Sequence, residues 1–314
     1  LDLDQFINFL IGGYYLRLLI IMGYSFFVYT PNFHFKLPKS MMPLLRYSGL
    51  IFLSGTAASF ILDIDKSMIY SLTSDANVAF YAVAIYIAAV IEAPGRAMFQ
   101  ITSPLVAEAL NSKNKVRLET LLKKSSINLM IVSGLLFLII NLNLEDFYNI
   151  INQQGYESAI GVVVIVSLGK LFSMSMGCLN NIISNSKHYS YVFWFSVSSA
   201  ILAVVLNYIF IKEYGILGAA FATLIVIIFI NICKILLVNY LFKIHPYSSK
   251  TLSILLVISL IYILIYSLPS IFNPWLSIPL RSLLIIGLFC IPLFRFSLSK
   301  EIETLFEKLI KRLF

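Results

Sequence analysis

Glu92, Arg96 and Gln100 recur every four residues through an apolar run that also holds Pro94. Residues four apart lie on one face of a helix, so Glu92 and Arg96 can pair there. A charged side chain at mid-bilayer costs roughly 2.5–3.5 kcal/mol, so each needs a partner, a cavity or a job. Two readings follow. The pair is a salt bridge that holds a kink at Pro94, or Arg96 contacts an anionic substrate while Glu92 serves as counter-ion or proton site. Arg17, Lys170 and Lys234 each stand alone inside other apolar runs. Lys170 heads a stripe of Ser167, Ser173, Met174, Gly177 and Asn181, which suits a packing seam or a cavity lining; the lysine favours the cavity. Arg281 lies near a span end, where it can snorkel.

Other chemistries find little support. Asp63-Ile64-Asp65 forms a D-x-D that could hold a metal-bound donor phosphate, but no large loop accompanies it to complete a site, and the pair reads as a helix end in the headgroup region. His34, His188 and His245 are far apart and lack ligand-spaced partners. Cys178, Cys233 and Cys290 fall in apolar runs and read as small fillers, without disulfide or metal. G-x-S-x-G, H-E-x-x-H and P-loop patterns are missing, and short loops leave no room for a catalytic domain outside the membrane. We therefore expect no catalytic residue, no metal, no cofactor and no enzyme.

The elements that must position these residues follow from composition. The chain is 60% hydrophobic and 12% charged, with a mean hydropathy of +0.91. Apolar runs of about 20 residues recur along it, the length that crosses a hydrocarbon core of roughly 30 Å. Strand-period alternation is missing, which excludes a β-barrel reading. The fold class is an all-α polytopic transmembrane helical bundle of roughly nine spans, over 7–28, 46–64, 77–102, 124–143, 158–183, 190–211, 215–241, 251–271 and 276–296. The charge of +8 sits in loops, where the positive-inside rule accounts for it without a nucleic-acid partner.

Lys and Arg alternate with acidic loops along the chain. Lys36, Lys39 and Arg46 lie on one side, with Lys113, Lys115, Arg117, Lys123 and Lys124. Asp2, Asp4, Asp63, Asp65, Asp75, Glu145, Asp146 and Glu157 lie on the other. That bias puts residue 1 outside and the C-terminus in the cytoplasm. Leu1-Asp2-Leu3-Asp4 reads as an interior point of a longer protein. The tail 299–314 carries Ile302, Leu305, Phe306, Leu309, Ile310 and Leu313 on one stripe, with Lys and Arg mostly off it; it reads as a basic amphipathic interfacial helix.

Two passages carry a resemblance. DKSMIYSLTSDANVAFYAVA (Asp65 to Ala84) resembles the oligosaccharide and polysaccharide flippases, the Wzx-like branch of the multidrug/oligosaccharidyl-lipid/polysaccharide exporter superfamily, at Asp65, Met68, Ile69, Val78, Tyr81 and Ala84. LNYIFIKEYGILGAAFATLI (Leu206 to Ile225) is similar to that family's Asn, Tyr-Gly and Gly-Ala-Ala signature, with Lys212 where proline is usual.

The resemblance implies a MATE-like exporter architecture of two pseudo-symmetric bundles working by alternating access. Residues 1–45 would be the last helix of an incomplete N-terminal bundle with a cytoplasmic loop, 46–241 a C-terminal six-helix bundle, and 242–298 two trailing helices. It implies a lipid-linked oligosaccharide of the undecaprenyl-diphosphate type, moved across a bacterial cytoplasmic membrane for surface polysaccharide synthesis. The implied partners are that substrate, the lipid bilayer and polysaccharide polymerase machinery. A lipid II flippase and a cation-coupled drug antiporter are the alternatives. The buried cations Arg17, Arg96, Lys170 and Lys234, with Gln100, are the expected substrate contacts, because Lys and Arg suit a diphosphate.

Overall fold

The computed structural model describes residues 3–29, 41–151, 159–267, 273–299 and 301–304; the side chains of 3–4, 43, 54 and 57–63 fall outside this set. The expectations resting on the side chains of Asp2, Asp4, His34, Lys36, Lys39, Asp63 and Glu157, and on the tail stripe from Leu305 onward, therefore lie outside the described residues.

Every secondary-structure element among the described residues is helical. The chain divides into two units, Leu1–Arg46 and Tyr47–Phe314. The first contains α1 (Leu3–Val28), whose described side chains are exposed along its whole length, Arg17 included. The second contains most of α2 (Met41–Leu72) and all of α3 (Asp75–Ala89), α4 (Ala93–Asn111), α5 (Lys115–Leu142), α6 (Leu144–Ile151), α7 (Ile160–Ser175), α8 (Leu179–Asn185), α9 (Ser190–Phe242), α10 (Ser249–Tyr266) and α11 (Pro274–Arg295).

Among the described residues six helical segments (α1, α3 running on into α4, α5, α9, α10 and α11), or seven if bent α7 and α8 count as one span, are long and apolar enough to cross a membrane. The sequence led us to expect roughly nine. Part of the difference is α9, which carries two expected spans on 53 residues. At 1.5 Å per residue it would be about 80 Å long, more than twice a hydrocarbon core. Gly215, at φ 58° and ψ −134°, breaks it into two arms in a conformation that glycine tolerates at little cost. The rest is α2, whose apolar stretch among the described residues is only Leu44–Leu53.

The second unit is organised around α5, the most buried of its spans, with 61% of its most apolar window inside the protein. One side of α5 packs Phe137 and Leu138 with Ile254, Ile258 and Ile261 of α10 and Phe289 of α11. Another core joins Tyr81, Ala84 and Ala88 of α3 to Val162, Val163 and Val166 of α7 and Ala219 and Ala220 of α9. The small residues on α3 and α9 let their backbones approach closely, which in a membrane replaces the hydrophobic drive.

Two neighbours of α5 are broken, and its serines satisfy the freed backbone. Pro94 has no N–H and its ring crowds the preceding turn, so the chain between α3 and α4 tightens into a 3-10 turn, Val90–Glu92. Buried Ser133 donates to the Ile91 carbonyl there at 2.8 Å. Between α7 and α8 the chain bends by 59°, with Gly177 at φ 59°. Ser126 donates to the Ser175 carbonyl, and Ser125 accepts from the Cys178 N–H at 2.9 Å. Exposed polar backbone is not tolerated in lipid, so both breaks depend on these hydroxyls.

The last helix pair is clamped at both ends. Arg281 does not snorkel: its side chain is 15% exposed and bonds the Asp146 carboxylate at 3.2 Å. Ser277 donates to the same carboxylate at 2.6 Å. At the other end Ser299 donates to Asn128 at 2.6 Å, and Lys124 pairs with Glu301 at 2.6 Å. The Lys124 ammonium holds the Glu301 carboxyl below the usual glutamate range.

Candidate functional site

The polar residues singled out in the sequence converge on the break between α3 and α4. Because Val90–Glu92 is a 3-10 turn, Glu92 becomes the residue that precedes α4 rather than one turn of a continuous helix. Its carboxylate accepts a bond from Lys170 of α7 at 2.9 Å, with the two side chains 30% and 14% exposed. The Glu92–Arg96 pair expected from four-residue spacing does not form. Arg96 is exposed and has no ion pair among the described residues.

Beside this pair lies a cavity of about 330 Å³ between α4, the α7–α8 bend and both arms of α9. Glu92 and Arg96 form one wall, Ser173 and Asn180 another, and Asn231 and Lys234 a third. Asn231 donates to Ser173 at 3.0 Å, tying α9 to α7 at the rim. The helices are close-set here: a Cβ added at Gly95 would lie 2.6 Å from the Met174 sulfur. Lys234 reaches the cavity without an ion pair among the described residues. Three cations against one carboxylate leave the site formally positive.

Asn181 continues the stripe predicted from Lys170, but it ties α8 to α4 rather than lining the cavity. It donates to the Phe99 carbonyl at 2.8 Å and to Thr102 at 3.0 Å. Gln100 is exposed on α4 and is not among the cavity residues. Arg17 belongs to the unit Leu1–Arg46, and the cavity to Tyr47–Phe314.

A second polar cluster was missed in the sequence. Asp65 is not at a helix end but inside α2, and it is 5% exposed. Its carboxylate accepts from Tyr81 at 2.9 Å, from Thr223 at 2.8 Å and from Asn207. Asn207 and Thr223 lie on opposite sides of the Gly215 break, so one carboxylate pins both arms of α9 to α2 and α3. All three donors are neutral, and no cation hydrogen-bonds this carboxylate among the described residues. The Asn207 Oδ1 is buried and unpartnered among the described residues. The signal available in the sequence was that Asp65, Tyr81 and Asn207 are polar positions inside the two passages that carry the family resemblance.

The MatE family model matches residues 51–209, a stretch that includes Asp65, Glu92, Arg96, Lys170 and Asn207. The chain belongs to the MatE family. No curated protein and no solved structure is a significant match. MatE membership makes this chain a membrane exporter; the Glu92–Lys170 pair and Asp65, Tyr81 and Asn207 fall within the matched stretch, and Thr223 lies beyond it. Lys234 and the helices α10 and α11 lie beyond it.

Proposed function

We propose that this MatE protein moves a lipid-linked oligosaccharide, of the undecaprenyl-diphosphate type, across the bacterial cytoplasmic membrane for surface polysaccharide synthesis. The observation that carries the reading is the positive balance of the cavity: Lys170 neutralises Glu92, which leaves Arg96 and Lys234 free to meet an anion. Guanidinium and ammonium groups in a site of low dielectric are suited to a diphosphate. Lys170 is then a positioning residue. Arg17, on α1, is a further proposed contact, and Gln100 a peripheral one.

In this proposal 46–241 forms the C-terminal bundle that rocks against an N-terminal one, 242–298 are trailing helices, residue 1 lies on the outer side and the C-terminus is cytoplasmic. Polysaccharide polymerase machinery would take up the product. The test is translocation of an undecaprenyl-diphosphate oligosaccharide in liposomes by the full-length protein. Arg96→Ala with Lys234→Ala should reduce the rate at least tenfold while leaving the amount of inserted protein unchanged. Wild-type rates in the double variant would overturn the assignment.

One observation favours the second reading, a cation-coupled antiporter of the same superfamily. Asp65 is a buried carboxylate whose hydrogen bonds among the described residues come from the neutral donors Tyr81, Thr223 and Asn207, an environment that could trade a proton or cation. Under that reading Asp65→Asn abolishes efflux of cationic dyes and leaves oligosaccharide transport undefined; absence of any dye efflux by the wild type removes it.

A further inference from the structure

At the opposite end of α7 from the cationic cavity, a larger cavity of about 460 Å³ separates the α10–α11 pair from α5, α6 and α7. Its polar groups are Asn141, Glu145, Tyr262, Tyr266 and Arg281. It lies where α5 and α10 finish and α11 begins, and these are helices apolar enough to span the membrane. That is headgroup depth, where tyrosines with an apolar ring and a polar tip are favoured.

The donors and acceptors are sorted by charge. Arg281 is fixed by two bonds from one nitrogen, Nη1, to the Leu142 carbonyl at 2.7 Å and to Asp146 at 3.2 Å. Its Nε and Nη2 have no hydrogen bond among the described residues, so half of the guanidinium fork is left for an anion. Asn141 is 8% exposed and donates through Nδ2 to the Phe137 carbonyl at 2.8 Å. Its Oδ1 is buried and has no partner among the described residues. A buried acceptor without a donor is costly, and a ligand carrying N–H groups would relieve it. Glu145 is exposed at the mouth and supplies a negative charge for the same N–H groups. Tyr262 and Tyr266 stack in parallel, 7° apart with centroids separated by 6.0 Å, and form one wall.

We propose that this cavity binds the headgroup of a bilayer lipid whose phosphate carries a primary amine, of the phosphatidylethanolamine class. The phosphate meets Arg281, and the ammonium donates to Asn141 Oδ1 and the Glu145 carboxylate. Leu142, Ile160, Val164 and Ile265 line the rest and accept the first part of the acyl chains. The lipid then fills the gap between the trailing helix pair and the bundle. A quaternary amine cannot donate to Asn141, and a purely anionic headgroup meets Glu145, so the arrangement selects against both. The inference does not depend on what the exporter carries.

The test is native mass spectrometry of the full chain in detergent, titrated separately with dioleoyl phosphatidylethanolamine, phosphatidylcholine, phosphatidylglycerol and water-soluble phosphoethanolamine. Phosphatidylethanolamine should be retained about tenfold more strongly than phosphatidylcholine, the discrimination of one charge-assisted hydrogen bond. Asn141→Leu and Glu145→Gln should each reduce that preference toward parity, with helical content unchanged. Glu145 is exposed, so its variant keeps the test valid should Asn141→Leu fail to fold. Equal retention of the two zwitterionic lipids, stronger binding of phosphatidylglycerol, or a preference surviving Glu145→Gln would overturn the proposal. Phosphoethanolamine alone binding as tightly as the lipid would also overturn it, by making the occupant a soluble amino-phosphate.

Discussion

Gly177→Ala tests whether the bend between α7 and α8 is fixed by the backbone of α5. Gly177 sits at φ 59°, and a Cβ there would lie 2.5 Å from the Ser126 nitrogen and 2.9 Å from the Leu122 carbonyl oxygen. The left-handed conformation alone costs an alanine roughly 1–2 kcal/mol. The contacts are with helical backbone that cannot swing aside as a flexible side chain would, and overpacking of this kind costs roughly 1–3 kcal/mol more. Together these give about 3 kcal/mol, which in a protein of this size lowers Tm by roughly 4–5 °C. Gly287→Ala is the matched control, because a Cβ there meets no heavy atom within 4 Å. It should leave Tm unchanged or raise it slightly, since alanine is the better helix former. Cys178, buried beside the bend, provides the assay: a thiol-reactive dye reports its exposure during a temperature ramp in detergent. If Gly177→Ala melts with its Gly287→Ala control, the bend is not held by α5 and the reasoning fails.

Ser133→Ala removes the donor to the Ile91 carbonyl and should cost about 1–2 kcal/mol; Ser253→Ala, at an exposed site on α10, should cost nothing measurable by the same melting assay. Lys170→Met leaves Glu92 unpaired. Breaking a fully buried pair costs roughly 3–5 kcal/mol, and with Glu92 30% exposed we expect about half that. Adding Glu92→Gln should restore most of the loss, and a double variant no more stable than Lys170→Met would refute the pairing. Glu301 is held below the usual glutamate range, first by its hydrogen bond from Lys124. A carboxyl depressed in the folded state contributes stability above its unfolded value and loses it as the pH falls through the folded one. Acidification should therefore release residues 301–304 from α5, measured by proteolysis of the tail, and Lys124→Met should remove that pH dependence.

The helical class and the rough placement of most helices were legible in the sequence because they rest on run length and composition alone; the ends were less so, with α4 running to Asn111 and α5 starting at Lys115. The ion pair was legible only in part. Glu92 and Arg96 were expected to pair because spacing of four assumes an unbroken helix, and Pro94 changes the register at that very place. The true partner, Lys170, lies on another helix 78 positions away, a distance that local periodicity cannot span. Its own stripe was informative in mixed form: Ser173 reaches the cavity, Gly177 makes the bend, and Asn181 fastens α8 to α4. Asp65 was placed at a helix end because its loop-like acidic neighbours suggested a boundary; α2 instead continues to Leu72 and buries it. The two arms of α9 were divided in the sequence between 211 and 215, where Lys212 and Glu213 interrupt the apolar run, and the break falls there, at Gly215.

The three serines of α5 give the bundle a way to change shape in a solvent that offers no hydrogen bonds. At each break a carbonyl or an N–H has left its own helix and rests on a hydroxyl of the central one. Such a bond is worth only about 0.5–1.5 kcal/mol net, and a hydroxyl can rotate between partners. Pro94, with no N–H to give, holds the α3–α4 break in place, whereas straightening α7 into α8 at Gly177 would exchange these bonds for intrahelical ones with no polar backbone passing through lipid. α5 therefore acts less like a strut than like a set of moorings, from which the helices that line the cavity can be let go and taken up again.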